Sequence, residues 1–246
     1  MCVNFIQGKF ANPHSIQHGL GKEVESAVEC ARKNIAMLID AQPKEIIFTS
    51  GATESNNLAI KGAARFYRSK GKNELVTLST EHKCVIESML DLEKEGFKVY
   101  IVPVKKNGIV DLDILTKYIT NKTSVVSVMA VNNETGVLQP IKEIGKLCNQ
   151  VEAVFHSDAA QAAGKIDLSV KDMNIGLMSL SSHKMYGPKG IGVLYIRRKP
   201  RVRLLPLFSG GGQERGMRSG TLAAHLCIGF GEACRIAKIE IKDEKF

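Results

Sequence analysis

Leu180-Ser181-Ser182-His183-Lys184-Met185-Tyr186-Gly187-Pro188-Lys189-Gly190-Ile191-Gly192 joins two apolar runs. The run before it, Ile175 to Leu180, reads as a short buried strand, and Gly192 to Ile196 reads as another. Between them stand two serines, a histidine and a lysine, followed by a Gly/Pro-rich turn. A lysine just past a strand end, beside polar groups able to hold a phosphate, suits a Schiff-base lysine. Such a lysine needs its amine neutral part of the time, which desolvation or a nearby cation achieves. A surface lysine in an ordinary loop is the competing reading of this stretch taken alone.

Outward from it the chain alternates. Glu45 to Thr49, Leu75 to Ser79, Lys98 to Val102, Ser124 to Val131 and Ala153 to His156 read as further strands. Helical spacing marks Gly21 to Ile39, Leu58 to Tyr67, Cys84 to Glu95, Leu112 to Ile119 and Ile141 to Gln150. Strands and helices in short alternation mean an α/β fold, a mostly parallel seven-stranded sheet with helices on both faces. In such sheets ligands sit beyond the carboxyl ends of the strands. Polar clusters fall at those ends: Thr80-Glu81-His82, Asn132-Asn133-Glu134, His156-Ser157-Asp158-Ala159-Ala160-Gln161 and Ser181-Ser182-His183-Lys184. Any one of them could be a helix cap or a packed core histidine; four at successive strand ends point to a site.

Ser50-Gly51-Ala52-Thr53-Glu54-Ser55-Asn56-Asn57 has the form of a phosphate cup. The small residues let a ligand approach the backbone, and the helix N-terminus offers free N–H groups and a positive dipole end. An ordinary cap made by Ser50 and Thr53 is the alternative.

The set suits pyridoxal 5′-phosphate. That cofactor needs a lysine for its aldehyde, Lys184, and an acid for its pyridine nitrogen, Asp158. His82 is the flat side chain to stack on the ring. Gln161, with Asn133, would donate to the ring oxygen. Ala52, Thr53, Ser181 and His183 would hold the phosphate.

These runs, with Thr49 to Asn57, Thr80 to Lys83, Val131 to Glu134 and Gly210-Gly211-Gly212-Gln213-Glu214-Arg215-Gly216-Met217-Arg218-Ser219-Gly220-Thr221, resemble the cysteine desulfurases of the NifS/IscS type. These belong to the aminotransferase-like enzymes of PLP fold type I. The resemblance implies that Lys184, Asp158 and His82 are catalytic and that Thr221 reaches the phosphate of a neighbouring subunit in a homodimer. It implies L-cysteine as substrate, L-alanine as product, and sulfur passed as a persulfide to an iron–sulfur scaffold protein. Against the family's length, residues 1–18 read as an irregular arm, 19–230 as the PLP-binding large domain, and 231–246 as the start of a helix leading to an absent small domain. The chain looks truncated at both ends, without the loop that carries the nucleophilic cysteine; a non-catalytic fragment is therefore the alternative function. Ser182 stands where the family has glycine and would add bulk beside the phosphate.

Composition limits other readings. The 246 residues are 44% hydrophobic and 24% charged, typical of a globular domain. A net charge of +9 allows an anionic ligand, but 6% aromatic content without tryptophan gives no stacking platform for nucleic acid. The basic run Arg197 to Arg203 reads as a solvated face. No apolar run is long enough to cross a membrane. The six scattered cysteines form no zinc pattern and, with no targeting segment evident, point to a reducing compartment, a bacterial cytoplasm or a mitochondrial-type organelle. Cys30, Cys148, Cys227 and Cys234 are expected to be packed, whereas Cys84 opens a helix whose N-terminus would lower its pKa.

Overall fold

A computed structural model describes residue 8, residues 11–15 and residues 19–243. Most of the expected arm, with Cys2, lies outside the described residues. Its middle forms a turn in which the Ser15 N–H donates to the Asn12 carbonyl at 3.0 Å.

Seven strands form one sheet in the order β1-β7-β6-β5-β4-β2-β3. They are β1 (Ile46–Thr49), β2 (Glu74–Leu78), β3 (Lys98–Val102), β4 (Thr123–Ser127), β5 (Val154–Asp158), β6 (Leu177–Ser181) and β7 (Gly192–Ile196). β3, β2, β4, β5 and β6 run parallel; β7 is antiparallel to both β6 and β1. The interior strands are buried on both faces, which is why they read as apolar runs rather than alternating ones. β4 is shorter than its sequence suggests. The regular strand stops at Ser127; the Val128 and Ala130 N–H groups still donate to the His156 and Asp158 carbonyls, while Met129 and Val131 line a cavity.

The helices are α1 (Gly19–Leu38), α2 (Ala52–Arg68), α3 (Lys83–Lys94), α4 (Leu112–Thr116), α5 (Ile141–Gln150) and α6 (Ala224–Asp243). Two apolar clusters hold them to opposite faces. Val28 and Ile35 of α1, Ile144 and Cys148 of α5, and Cys227 and Phe230 of α6 share one cluster. Leu58 and Ala63 of α2 share the other with Val85 and Met89 of α3. α1 buries Val24, Val28, Ala31, Ile35 and Leu38 at helical spacing. Cys30 falls off that stripe and is exposed, contrary to the expectation that it packs. Cys148, Cys227 and Cys234 are buried as expected. In the basic run only Val202 enters the core, and Arg198, Lys199, Arg201 and Arg203 face solvent. Among the described residues no helix is long and apolar enough to cross a membrane.

The reversal of β7 places the site. The parallel strands β2, β4, β5 and β6 end on one sheet edge. β7 starts there, with Gly192 opposite Ser181 on one side and Thr49 on the other. Gly192 tolerates no side chain: a Cβ there would lie 2.7 Å from Gly51 Cα and from the Leu180 carbonyl oxygen. The turn after β1 is thereby packed against the strand that leaves the lysine loop.

Candidate active site

A cavity of about 510 Å³ opens at this edge. Its wall contains Ala52, Thr53, His82, Asn133, Asp158, Gln161, Ser181, His183 and Lys184, residues contributed by the ends of β1, β2, β4, β5 and β6. Thr221 is not in the wall; it is exposed on the Gly-rich loop before α6. Ser182 is not in the wall either. It is fully buried, and its Oγ would collide with a Cβ at Gly187, so it adds no bulk to the cavity.

α2 begins at Ala52, six residues before its apolar periodicity starts. Its N-cap, Gly51, makes no side-chain capping bond. Neither Ser50 nor Thr53 supplies the ordinary cap; the Ser50 N–H instead donates to Glu54 Oε2 at 2.8 Å. The uncapped first turn therefore lies in the cavity wall with donors to spare. Ser181 Oγ and His183 Nδ1 are 3.0 Å apart on the opposite wall.

Asp158 ends β5 and is 5% exposed. The Ala160 N–H donates to Oδ1 at 2.9 Å and Asn56 Nδ2 to Oδ2 at 2.7 Å. Burial raises its pKa; the Ala160 and Asn56 hydrogen bonds and the charges of His82 and Lys184 work against that rise. The Asn56 contact did not emerge from the sequence. Asn56 sits inside the quoted cup, but only its burial on the inner face of α2 aims it at β5.

His82 is the N-cap of α3. Its Nδ1 accepts the Cys84 N–H at 3.1 Å and lies 3.0 Å from Cys84 Sγ. An Nδ1 that accepts leaves the proton of the neutral ring on Nε2. Gln161 Oε1 accepts from Lys165 Nζ at 3.1 Å, which leaves its Nε2 as the group free to donate. Cys84 also lines the cavity and accepts from Asn56 Nδ2 at 3.1 Å. Its thiol is pushed up, not down: burial comes first and prevails over the Asn56 hydrogen bond, which works the other way, with the Asp158 charge adding to the rise.

His156 is the packed core histidine of its cluster. It is fully buried between β4 and β6, 2.8 Å from Ser127 Oγ and 3.0 Å from Ser179 Oγ, and burial holds its pKa down at about 3.

Behind the wall, the Gly-rich loop is anchored. Arg32 Nη1 and Nη2 each donate at 2.8 Å to Glu214, whose Oε2 also accepts the Phe48 N–H at 2.7 Å. The guanidinium lies 4.6 Å above the Phe48 ring. Arg218 Nε donates to Glu54 at 2.9 Å, so the loop also grips the first turn of α2. Among the described residues no acidic, histidine or cysteine cluster could hold a metal ion.

The aminotransferase class-V family model matches residues 1–245. A probable mitochondrial cysteine desulfurase of Schizosaccharomyces pombe is 60% identical over 238 residues, 97% of this chain and 47% of that protein. The cysteine desulfurase IscS of Rickettsia bellii is 60% identical over 242 residues, 98% of this chain and 59% of its own. A solved NifS-like protein superposes with a TM-score of 0.93 at 40% identity, covering 98% of this chain and 66% of that one. The chain thus spans about half the length of the curated relatives it matches.

Proposed function

Because the chain belongs to the aminotransferase class-V family, we propose that it is the cofactor-holding large domain of a pyridoxal 5′-phosphate-dependent cysteine desulfurase, which takes sulfur from L-cysteine and leaves L-alanine. The observation that carries the reading is the meeting of Lys184, Asp158, His82 and an uncapped helix N-terminus in one cavity. By family, the sulfur travels as a persulfide to an iron–sulfur scaffold. One relative is named mitochondrial and another is bacterial, which supports a mitochondrion-type organelle or a bacterial cytoplasm as the compartment.

The donor set fits the cofactor. The open donors of Ala52 and Thr53, with Ser181 and His183, match a phosphate. Asp158 matches a protonated ring nitrogen, which offsets the burial that raises the free carboxyl's pKa. Gln161 Nε2 and Asn133 match the ring oxygen, His82 the ring face, and Lys184 the aldehyde. When bound, the cofactor supplies an aldehyde for amines and a ring that withdraws electrons. The chain's own residues do the rest. Asp158 holds a fixed charge in a dry place, and Met129 and Val131 keep the wall apolar and exclude water. His82 keeps its movable proton on Nε2, because Nδ1 is committed to the α3 backbone. Lys184 Nζ is a further wall group able to carry a proton. Thr221, exposed and outside its own chain's cavity, is available to the phosphate of a second copy in a homodimer.

Incubation with pyridoxal 5′-phosphate should give a visible absorbance band that borohydride removes and that Lys184→Ala abolishes. A band unchanged in that variant would sink the assignment.

A second reading concerns the 246-residue chain taken alone, and a specific observation favours it. Among the described cysteines Cys84 alone lines the cavity, and its thiol is half-buried, raised in pKa and held by Asn56 and His82. That is the opposite of an activated nucleophile. The chain alone should bind cofactor without releasing alanine from L-cysteine; catalytic alanine release, lost in Cys84→Ala, would reverse this.

A further inference from the structure

We propose that two buried carboxyls behind the cavity divide one charge and one proton between them: Asp158 carries the charge, Glu81 carries the proton, and the Asn56 amide is the positioning residue that decides the allocation. Asp158 and Glu81 are 5% and 8% exposed; Asp158 ends β5, and Glu81 follows the end of β2 by three residues. Each would need donors on both oxygens to be buried as an ion. Asp158 has them, from the Ala160 N–H on Oδ1 and from Asn56 on Oδ2. The charges of His82 and Lys184 also favour its ionised form. Glu81 has one donor, the Met129 N–H at 2.7 Å on Oε1; its Oε2 is buried without a partner. No ion pair to Glu81 is found among the described residues. Burial and the nearby Asp158 charge both hold its proton on. Two like charges sharing a dry region cannot both ionise cheaply, and the group with fewer donors keeps its proton.

A protonated Oε2 needs somewhere to donate. Glu81 belongs to the wall of a second cavity, about 390 Å³, whose lining of Ser79, Thr80, Lys83, Asn132, Glu134 and Thr135 is polar. Thr80 Oγ1 there is buried and equally unpartnered. A polar space of that size holds water. His82 and Asn133 belong to both cavities, so this water adjoins the proposed cofactor site. Besides the pair, the titratable groups of the two cavity walls are His82, Lys83 and Glu134 in the second and Glu54, Cys84, His183, Lys184 and Lys189 in the first.

Asn56 breaks the symmetry. It is fully buried, and its Nδ2 serves both Asp158 Oδ2 and Cys84 Sγ. Turning the amide over would set Oδ1 against the carboxylate, so the carboxylate charge and the amide orientation require each other.

The inference gains its purpose from the proposed function, since a ring nitrogen needs Asp158 charged, but its test uses the cofactor-free chain. Infrared spectra at neutral pH should contain one carboxylic-acid C=O band. Glu81→Gln should remove it, and Asp158→Asn should leave it in place. Asn56→Leu should add a second acid band, which Asp158→Asn then removes. In wild-type protein the band should persist at neutral pH, above the range in which an ordinary carboxyl ionises, a result that needs no variant to fold. Absence of any acid band in the wild type at neutral pH, or a band that survives Glu81→Gln, would overturn the proposal. Failure to bind pyridoxal 5′-phosphate with these bands behaving as expected would remove the cofactor reading and leave the carboxyl pair standing.

Discussion

Two of the places where the molecule buries ionisable groups are treated differently. At the anchor of the Gly-rich loop, Arg32 and Glu214 spend nearly every donor and acceptor on each other, on Glu29, on the Ile46 carbonyl and on the Phe48 N–H. At the cavity, Asn56 Oδ1, Glu81 Oε2 and Thr80 Oγ1 are buried with no partner at all. A region that only has to hold the fold saturates its polar groups. A region built around something else leaves some of them open. The saturation of the anchor also explains how a loop rich in glycine keeps one shape: Glu214 and Arg215 both adopt positive φ, 48° and 59°, and the buried pair holds them there.

Substitutions at three places test this contrast. The largest effect belongs to the anchor. Glu214→Ala leaves Arg32 buried and unpaired and should cost about 3–5 kcal/mol in denaturant unfolding. The double variant Glu214→Leu with Arg32→Met should recover much of that loss, because a buried pair and an apolar replacement are often nearly equivalent. A single variant costing less than about 1 kcal/mol would mean that saturation at this site carries no stability.

His156 gives the intermediate effect and tests whether a saturated group can sit beside the open wall. Burial places its folded pKa at about 3, below the ordinary 6.5. The folded state then binds fewer protons than the unfolded chain, so its contribution is complete above the unfolded pKa. It is lost as pH falls from 6.5 toward 3, by up to about 1.4 kcal/mol per pH unit. His156→Gln should flatten that part of the urea-stability profile. An acid limb equally steep in the variant would assign the loss to the carboxyls.

The smallest effect separates two thiols. Exposed Cys30 should react with iodoacetamide faster than Cys84, whose burial and the nearby Asp158 charge keep it protonated. Faster labelling at Cys84 would mean that the wall activates its thiol. Cys84→Ser should change stability by no more than about 1 kcal/mol.

Much of this architecture was legible in the chain, and the gaps have physical reasons. Strands buried on both faces are mostly apolar, so every strand but the edge strand β3 stood out for that reason, and the polar residues at the ends of β2, β4, β5 and β6 had to fall on one edge. Ser124 to Val131 misled because β-branched residues suit a cavity wall as well as a ladder; only hydrogen-bond partners separate Val126 from Val131. The first turn of α2 was invisible to periodicity because Ala52 to Asn57 are small or polar, as a ligand-facing helix start must be. Cys30 could have been placed: it lies between Val28 and Ala31 but off the stripe they share with Val24 and Ile35. Asn56 and Glu81 could not, since their importance comes from contacts with Asp158 and Met129, far away in sequence.

The reversed strand β7 has one more consequence, in the order of assembly. β6, the turn bearing Lys184 and β7 form an antiparallel hairpin within Leu177 to Ile196, with Ser181 opposite Gly192. Closing a short loop costs little chain entropy, whereas the parallel pairs β2–β4 and β4–β5 need crossovers through whole helices. Local pairings of this kind form on microsecond timescales, ahead of distant ones. The lysine is therefore set in place by its immediate neighbours, and the histidine, the carboxyls and the helix N-terminus are brought to it as the sheet closes.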